Sequence, residues 1–387
     1  MKSIINGNVY QENHFRKGLV VVFSEKVEAV LDSQAYSAFK KVNEAIEEID
    51  AEGLKVVPGF IDVHIHGYKG IDTMEGDLER LRTMSKAITE NGITAYLPTT
   101  MTMPSQAIKK ALETIDVLRL EKHMDGAMVL GAHMEGPYIN ETKKGAQSAE
   151  YIALPDQSFV EEHKEVIQVM TIAPEVCGAI EMIETYKDQI KFSIGHTSAT
   201  YEQALEAYEK GAQSATHLFN AMTGIHHREP GVVGAVLACD CYAEVIADNF
   251  HLNRGIYSIL VKTKGIDKLL LITDCMEAGG LKDGVYDLGG QPVLLSKGLC
   301  TLSEHPETIA GSVLRLNQGL RNVVEASQLP LEKLLPMVTM NQATYLGLED
   351  TMGSLDQGKL ANIVLIDDAF VVQTTIVKGK IVYENQV

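Results

Sequence analysis

The chain has 387 residues, 45% hydrophobic and 22% charged, ample apolar material for a large soluble core. Its formal net charge of −18 argues against nucleic acid and against anionic membrane surfaces as partners, because both would repel it. No run approaches the roughly 18 apolar residues needed to cross a bilayer, and Met1-Lys2-Ser3-Ile4-Ile5-Asn6-Gly7 carries no secretory leader pattern. The cysteines, Cys177, Cys239, Cys241, Cys275 and Cys300, are odd in number and scattered, and read as reduced thiols of a cytoplasmic protein.

Residues 1–54 read as short strands and turns. Ser3-Ile4-Ile5-Asn6-Gly7-Asn8-Val9-Tyr10 is strand, Asn-Gly turn, strand, and Gly18-Leu19-Val20-Val21-Val22-Phe23 is another strand. At the other end, strands at 361–366 and 371–377 precede a Lys378-Gly379-Lys380 turn and Ile381-Val382-Tyr383. Neither end buries a face alone, so residues 1–54 and 345–387 are expected to form one small β-sandwich.

Between them, residues 55–344 alternate strand and helix patterns. Eight short apolar strands fall at 56–66, 93–100, 127–135, 168–173, 191–196, 213–218, 243–249 and 268–274. Most are near-continuous apolar runs, as strands covered on both faces should be. Leu78, Leu81, Met84 and Ile88 recur at helical spacing before an Asn91-Gly92 stop, and residues 201–211 form a second helix ending in Gly. Eight such units predict an α/β fold, a TIM-type (β/α)8 barrel with its active site at the C-terminal ends of the strands. Cys239 and Cys241 share one face of a probable strand in this reading, where metal binding is possible but packing of two small buried residues explains them equally well.

Several of these strands end in the same chemistry. Asp62-Val63-His64-Ile65-His66, Ala132-His133-Met134-Glu135-Gly136-Pro137, Ile194-Gly195-His196, Ala215-Thr216-His217 and Leu271-Ile272-Thr273-Asp274 each end in imidazole or carboxylate. Those are the ligands of a divalent ion that activates water, whereas a closed structural zinc site favours thiolate. The period of two puts His64 and His66 on one strand face, within reach of one ion. His133, two residues before Glu135, reads as a partner that supports a ligand. Asp274 follows an apolar run, and a carboxylate there can take a proton from water and hand it to a leaving amine.

With these motifs in place, the chain resembles the amidohydrolase superfamily and, within it, the N-acetylglucosamine-6-phosphate deacetylase family. The resemblance rests on Pro58-Gly59-Phe60-Ile61-Asp62-Val63-His64-Ile65-His66-Gly67, His133-Met134-Glu135-Gly136-Pro137-Tyr138, Lys143-Lys144-Gly145-Ala146 and Gly195-His196-Thr197. It rests further on Ala215-Thr216-His217-Leu218-Phe219-Asn220-Ala221-Met222 with His226-His227-Arg228-Glu229-Pro230-Gly231, on Thr273-Asp274, and on Ile309-Ala310-Gly311-Ser312. It implies hydrolysis of the acetamido group of an N-acetylated hexosamine 6-phosphate in amino-sugar catabolism. Glu135, His196 and His217 match the shared metal ligands. His64 and His66 match a second position used by some members, so two ions are expected rather than one. Asp274 matches the catalytic acid and base and a metal-side carboxylate. The implied substrate contacts are Ala146, Gln147, Asn220, Ala221, Arg228, His251, Ile309, Ala310 and Gly311, with Arg228 reaching the sugar phosphate across a homodimer interface. Zinc, iron, manganese and cobalt all suit such ligands.

Two departures bear on the sugar. Gln147 stands where the family usually has His, and Cys275-Met276-Glu277 is bulkier and more acidic than the usual small residues. N-acetylgalactosamine 6-phosphate is therefore a competing substrate. Cyclic-amide hydrolases or deaminases that use a carboxylated lysine at the fourth strand are disfavoured, because Met170-Thr171-Ile172-Ala173-Pro174-Glu175 has none. A non-catalytic sugar-phosphate binder on the same barrel is the reading from a different class.

Overall fold

The computed structural model describes residues 1–43, 45–121 and 125–386. Its central feature is a parallel barrel of eight strands: Phe60–Ile65, Ile93–Thr100, Ala132–Glu135, Ile167–Ile172, Lys191–Ile194, Ser214–Ala215, Tyr242–Ile246 and Leu269–Ile272. All eight expected strands are found, and each pairs in parallel with the next. Closure between the first and eighth comes at their ends. A parallel bridge joins Ile65 to Cys275, Asp274 N donates to the His64 carbonyl at 2.9 Å, and His66 N donates to the Cys275 carbonyl at 2.8 Å.

Helices cover this sheet as the periodicity predicts. Leu78–Ala87 starts on an Asp77 cap and runs through a 3₁₀ turn to Gly92 at φ 80°. Leu81, Met84 and Ile88 are buried. Tyr201–Lys210 starts with a Thr200–Gln203 capping box, which satisfies two orphan backbone donors, and ends at Gly211. Glycine suits both stops because the left-handed backbone there carries no Cβ penalty.

The two chain ends build two further sheets. One orders Val27–Asp32, Leu19–Phe23, Lys2–Ile5 and Glu47–Asp50; the other orders Lys380–Glu384, Val372–Val377, Ile363–Ile366, Lys55–Pro58, Asn8–Gln11 and His14–Lys17. Ile4, Val21, Phe23 and Val27 of the first share a core with Val9, Val56, Ile363, Leu365 and Ile376 of the second. The sandwich expected from both termini is therefore present.

Several local details differ from expectation. The strands flanking Asn6-Gly7 do not pair with each other but enter different sheets, with Asn6 at φ 57° turning the corner. Lys55–Pro58 pairs with the terminal strands, so the crossing into the barrel falls at Gly59 rather than after residue 54. A Cβ at Gly59 would lie 2.2 Å from Thr94 Oγ1, so the Thr94 side chain fills the space that a larger residue would need there. Ser33–Val42 is a helix, capped by Asp32, in a stretch read as strands and turns. Cys239 caps the helix Gly231–Ala238 and Cys241 precedes the seventh strand, so they do not share a strand face.

One element was not foreseen. After the eighth strand, Gly284–Leu288, Gln291–Ser296 and Leu299–Leu302 form a three-stranded antiparallel sheet. Leu288, Val293, Leu295, Cys300 and Leu302 pack it onto Met101, Ala146 and Met276. The Gln291 side-chain amide donates to the Ala146 carbonyl and ties the sheet to the loop after the third strand.

Candidate active site

A cleft of about 380 Å³ opens at the C-terminal ends of the barrel strands, within the range of small-molecule sites. It is lined by His66, Glu135, His196, His217 and Asp274 of the ligand-type residues, with His64 buried behind them. The strands bring these groups in from separate parts of the chain, and the backbone aims the last three. His196, His217 and Asp274 lie at φ 48°, 31° and 50°, just past their strands. Left-handed backbone at a residue with a side chain costs on the order of 1 kcal/mol and collects at functional sites.

Three of the histidines are held in a defined tautomer. His66 Nδ1 donates to the Thr99 carbonyl at 3.2 Å, His196 Nδ1 to the Lys143 carbonyl at 2.9 Å, and His64 Nδ1 to Glu244 Oε2 at 3.0 Å. An acceptor on Nδ1 leaves the Nε2 lone pair bare and pointing the other way. Those lone pairs converge. His64 Nε2 lies 3.2 Å from His66 Nε2, and His196 Nε2 lies 3.2 Å from His217 Nε2. Buried lone pairs facing each other repel unless a cation sits among them.

The spacings form two triangles. In one, Glu135 Oε1 stands 3.2 Å from His196 Nε2 and 3.0 Å from His217 Nε2. In the other, Asp274 Oδ1 stands 3.2 Å from His66 Nε2 and 3.5 Å from His64 Nε2. Tetrahedral ligands at about 2.0–2.1 Å from an ion are about 3.3–3.4 Å apart, so both triangles fit a divalent metal. Glu135 spans them, with Oε1 3.5 Å from His64 Nε2 and Oε2 3.3 Å from His66 Nε2. Cys239 and Cys241 belong to no such group among the described residues.

Behind the triangles lies a fully buried polar layer that sequence reading missed in part. Glu244, at 0% exposure, holds His64, and burial pushes its carboxyl up to about 7. Asp62 accepts from Thr273 Oγ1 at 2.6 Å and from His64 N at 3.2 Å, and burial likewise pushes it up to about 7. Both stand as charged letters inside apolar strands, Phe60-Ile61-Asp62-Val63 and Tyr242-Ala243-Glu244-Val245, which is the signal that singles them out. His133 has both nitrogens engaged, on the Val63 carbonyl at 2.9 Å and Thr171 Oγ1 at 2.8 Å. Burial pulls its pKa down to about 4, in keeping with a neutral supporting ring.

Of the residues read as substrate contacts, Ala146, Gln147, Asn220, Ala221, His251, Ile309 and Gly311 line the cleft. His251 is backed by Asp248 Oδ2 at 2.7 Å. Ala310 lies wholly buried between Ile309 and Gly311. Arg228 is not brought to the cleft within one chain: it is exposed, on a loop where its guanidinium meets His227 Nε2 at 2.6 Å. Lys143 is the one Lys or Arg lining the cleft among the described residues. Met101, Thr142, Leu288, Glu307 and Thr308 complete the wall and were not anticipated.

Comparison with known proteins agrees with this geometry. Residues 55–382 match the amidohydrolase family. The chain is 36% identical over 384 residues to an N-acetylglucosamine-6-phosphate deacetylase of Bacillus subtilis, covering 97% of this chain and 95% of the relative. It is 35% identical over 353 residues to an N-acetylgalactosamine-6-phosphate deacetylase of Escherichia coli, covering 89% of this chain and 92% of the relative. A crystal structure of N-acetylglucosamine-6-phosphate deacetylase from Pasteurella multocida superposes with a TM-score of 0.92 at 32% identity, covering 99% of this chain and all of that one. The chain belongs to the amidohydrolase family.

Proposed function

We propose that this hydrolase converts N-acetylglucosamine 6-phosphate and water to glucosamine 6-phosphate and acetate, as a step of amino-sugar catabolism in the cytoplasm. The observation that carries the reading is the convergence of two His-carboxylate triangles on one cleft, joined by Glu135 and flanked by Asp274. Relatives that bear the deacetylase name over nearly the full chain supply the substrate class.

Glu135, His196 and His217 would hold one divalent ion, and His64, His66 and Asp274 a second; zinc, iron, manganese or cobalt meets that donor set. When bound, such an ion supplies Lewis acidity, lowering the pKa of water and polarising the amide carbonyl. Asp274 then performs the proton transfers. Its carboxylate takes a proton from the attacking water and returns it to the amide nitrogen as the C–N bond breaks. Burial alone would raise the Asp274 carboxyl, but the imidazoles of His66 and His64 beside it hold it low, in its ionised form. Thr273 and Asp62 fix the backbone beneath it.

The phosphate needs more positive charge than Lys143 supplies, in a chain of net charge −18. The exposed Arg228 of a second copy, with its two-oxygen fork, would complete the site in a homodimer. N-acetylgalactosamine 6-phosphate is the alternative substrate, favoured by the Escherichia coli relative and by the residues after Asp274. The test is acetate release from the two sugar phosphates side by side, with metal assayed on the same protein. Turnover lost on chelation and regained on metal addition is expected. No release from either sugar by protein holding its metal would overturn the reading.

A further inference from the structure

Gln147 is 2% exposed and has its side-chain amide fully oriented. Its Oε1 accepts from Thr102 N at 2.6 Å, and a backbone N–H cannot accept, so the NH₂ end must face the other way. That end donates to Glu135 Oε2 at 2.6 Å and approaches Met101 Sδ at 3.5 Å. The backbone is tied down as well: Gln147 N donates to the Lys144 carbonyl at 2.9 Å, and Lys144 Nζ reaches the Gln147 carbonyl at 3.3 Å. The residue touches the cleft, yet both ends of its amide are already engaged by the protein.

We infer that Gln147 is a positioning residue for the Glu135 carboxylate rather than a group that holds the sugar. The terminal torsion of a Glu side chain is broad and roughly two-fold, so nothing intrinsic to Glu135 decides where its oxygens point. His196 and His217 engage Oε1, and the Gln147 amide fixes Oε2 on the side of His66. Together they hold the carboxylate across both triangles instead of letting it turn wholly into one. The donor is neutral. A cationic donor would cancel the negative charge that Glu135 offers to a metal, whereas an amide orients it and leaves it intact.

This inference rests on the metal-dependent reading of the same cleft, and its test separates the two. Gln147→Met keeps length and approximate volume but removes both polar ends. Gln147→Glu keeps an acceptor for Thr102 N and replaces only the donor to Glu135. Wild type and both variants would be loaded with one metal, dialysed and assayed for metal per chain, kcat and KM, with thermal unfolding of the metal-free forms as a check on folding. For Gln147→Met, metal content is expected to fall toward half of wild type. For both variants kcat should fall about 10- to 100-fold, the range for partners of metal ligands, with KM held within about threefold. If Gln147→Met does not fold, the kcat and KM of Gln147→Glu decide the matter. A rise in KM with metal content and kcat unchanged would overturn the inference and return Gln147 to the sugar. Wild type that holds metal but releases no acetate would sink the proposed function alone, and the metal content of the variants would still judge Gln147.

Discussion

The two triangles use the same ligand types and share Glu135, yet they are supported differently. His64 is wholly buried with its far nitrogen on the Glu244 carboxylate, and His66 leans on the Thr99 carbonyl. On the other side, His196 leans on the Lys143 carbonyl, and His217 Nδ1 has no hydrogen-bond partner among the described residues. A carboxylate behind a ligating imidazole raises its basicity and fixes its ring, while a carbonyl mainly fixes the ring. The Glu135–His196–His217 half carries less support behind its histidines. Identical first contacts thus do not make equivalent halves; the residues behind them set the difference.

The largest break should come from Glu135→Gln, which removes charge from both halves. Metal content should fall on both sides and acetate release should drop to the detection floor, read by metal assay and end-point acetate. Asp274→Asn should be next. An amide cannot shuttle the proton, so kcat should fall about 10²–10⁴-fold, while the Glu135–His196–His217 half keeps its ion. Full activity in that variant would rule out Asp274 as the acid and base.

Glu244 sharpens the comparison because it backs the ring of His64, while it meets the other half only through the backbone N of His217 at 3.4 Å. Glu244→Ala should weaken metal retention by about 10- to 100-fold on the His64 side alone, seen as a shift of one of two steps in a chelator titration. A shift of both steps would mean that the halves are coupled through more than Glu135. Arg228→Ala should have the smallest effect on the chemistry. Losing a charged hydrogen bond worth about 1.5–3 kcal/mol should raise KM for the sugar phosphate roughly 10-fold or more, with kcat nearly unchanged. At substrate well below the raised KM, where each variant is weak alone, mixing Arg228→Ala chains with Asp274→Asn chains would restore activity in a shared site; no recovery would argue that the arginine acts within its own chain or not at all.

How much of this was legible depends on range along the chain. The barrel strands were readable because strands covered on both faces keep apolar runs, and the strand-end imidazoles and carboxylates stand out at the ends of such runs. The sandwich was readable because each terminus has strands that cannot bury a face alone. The three-stranded sheet at 284–302 was not, since apolar residues stand on both of its faces and hide the alternation of a half-buried strand: Val285 and Leu294 face outward at 65% and 44% exposure, while Val293 and Leu295 are buried. The pairing at Asn6-Gly7 misled because a tight turn marks a reversal without saying which sheet receives the next strand.

By itself the sequence determined the types of ligand, their placement at strand ends and the eight-fold alternation, because each is written in neighbouring residues. Only the tertiary structure decided which oxygen of Glu135 meets which histidine, that Glu244 stands behind His64 from 180 residues away, and that the Gln147 amide donates to Glu135 from the cleft wall. Those outcomes depend on rotations and distances of a few ångströms between segments far apart in the chain. No local pattern fixes them; the closing of the barrel does.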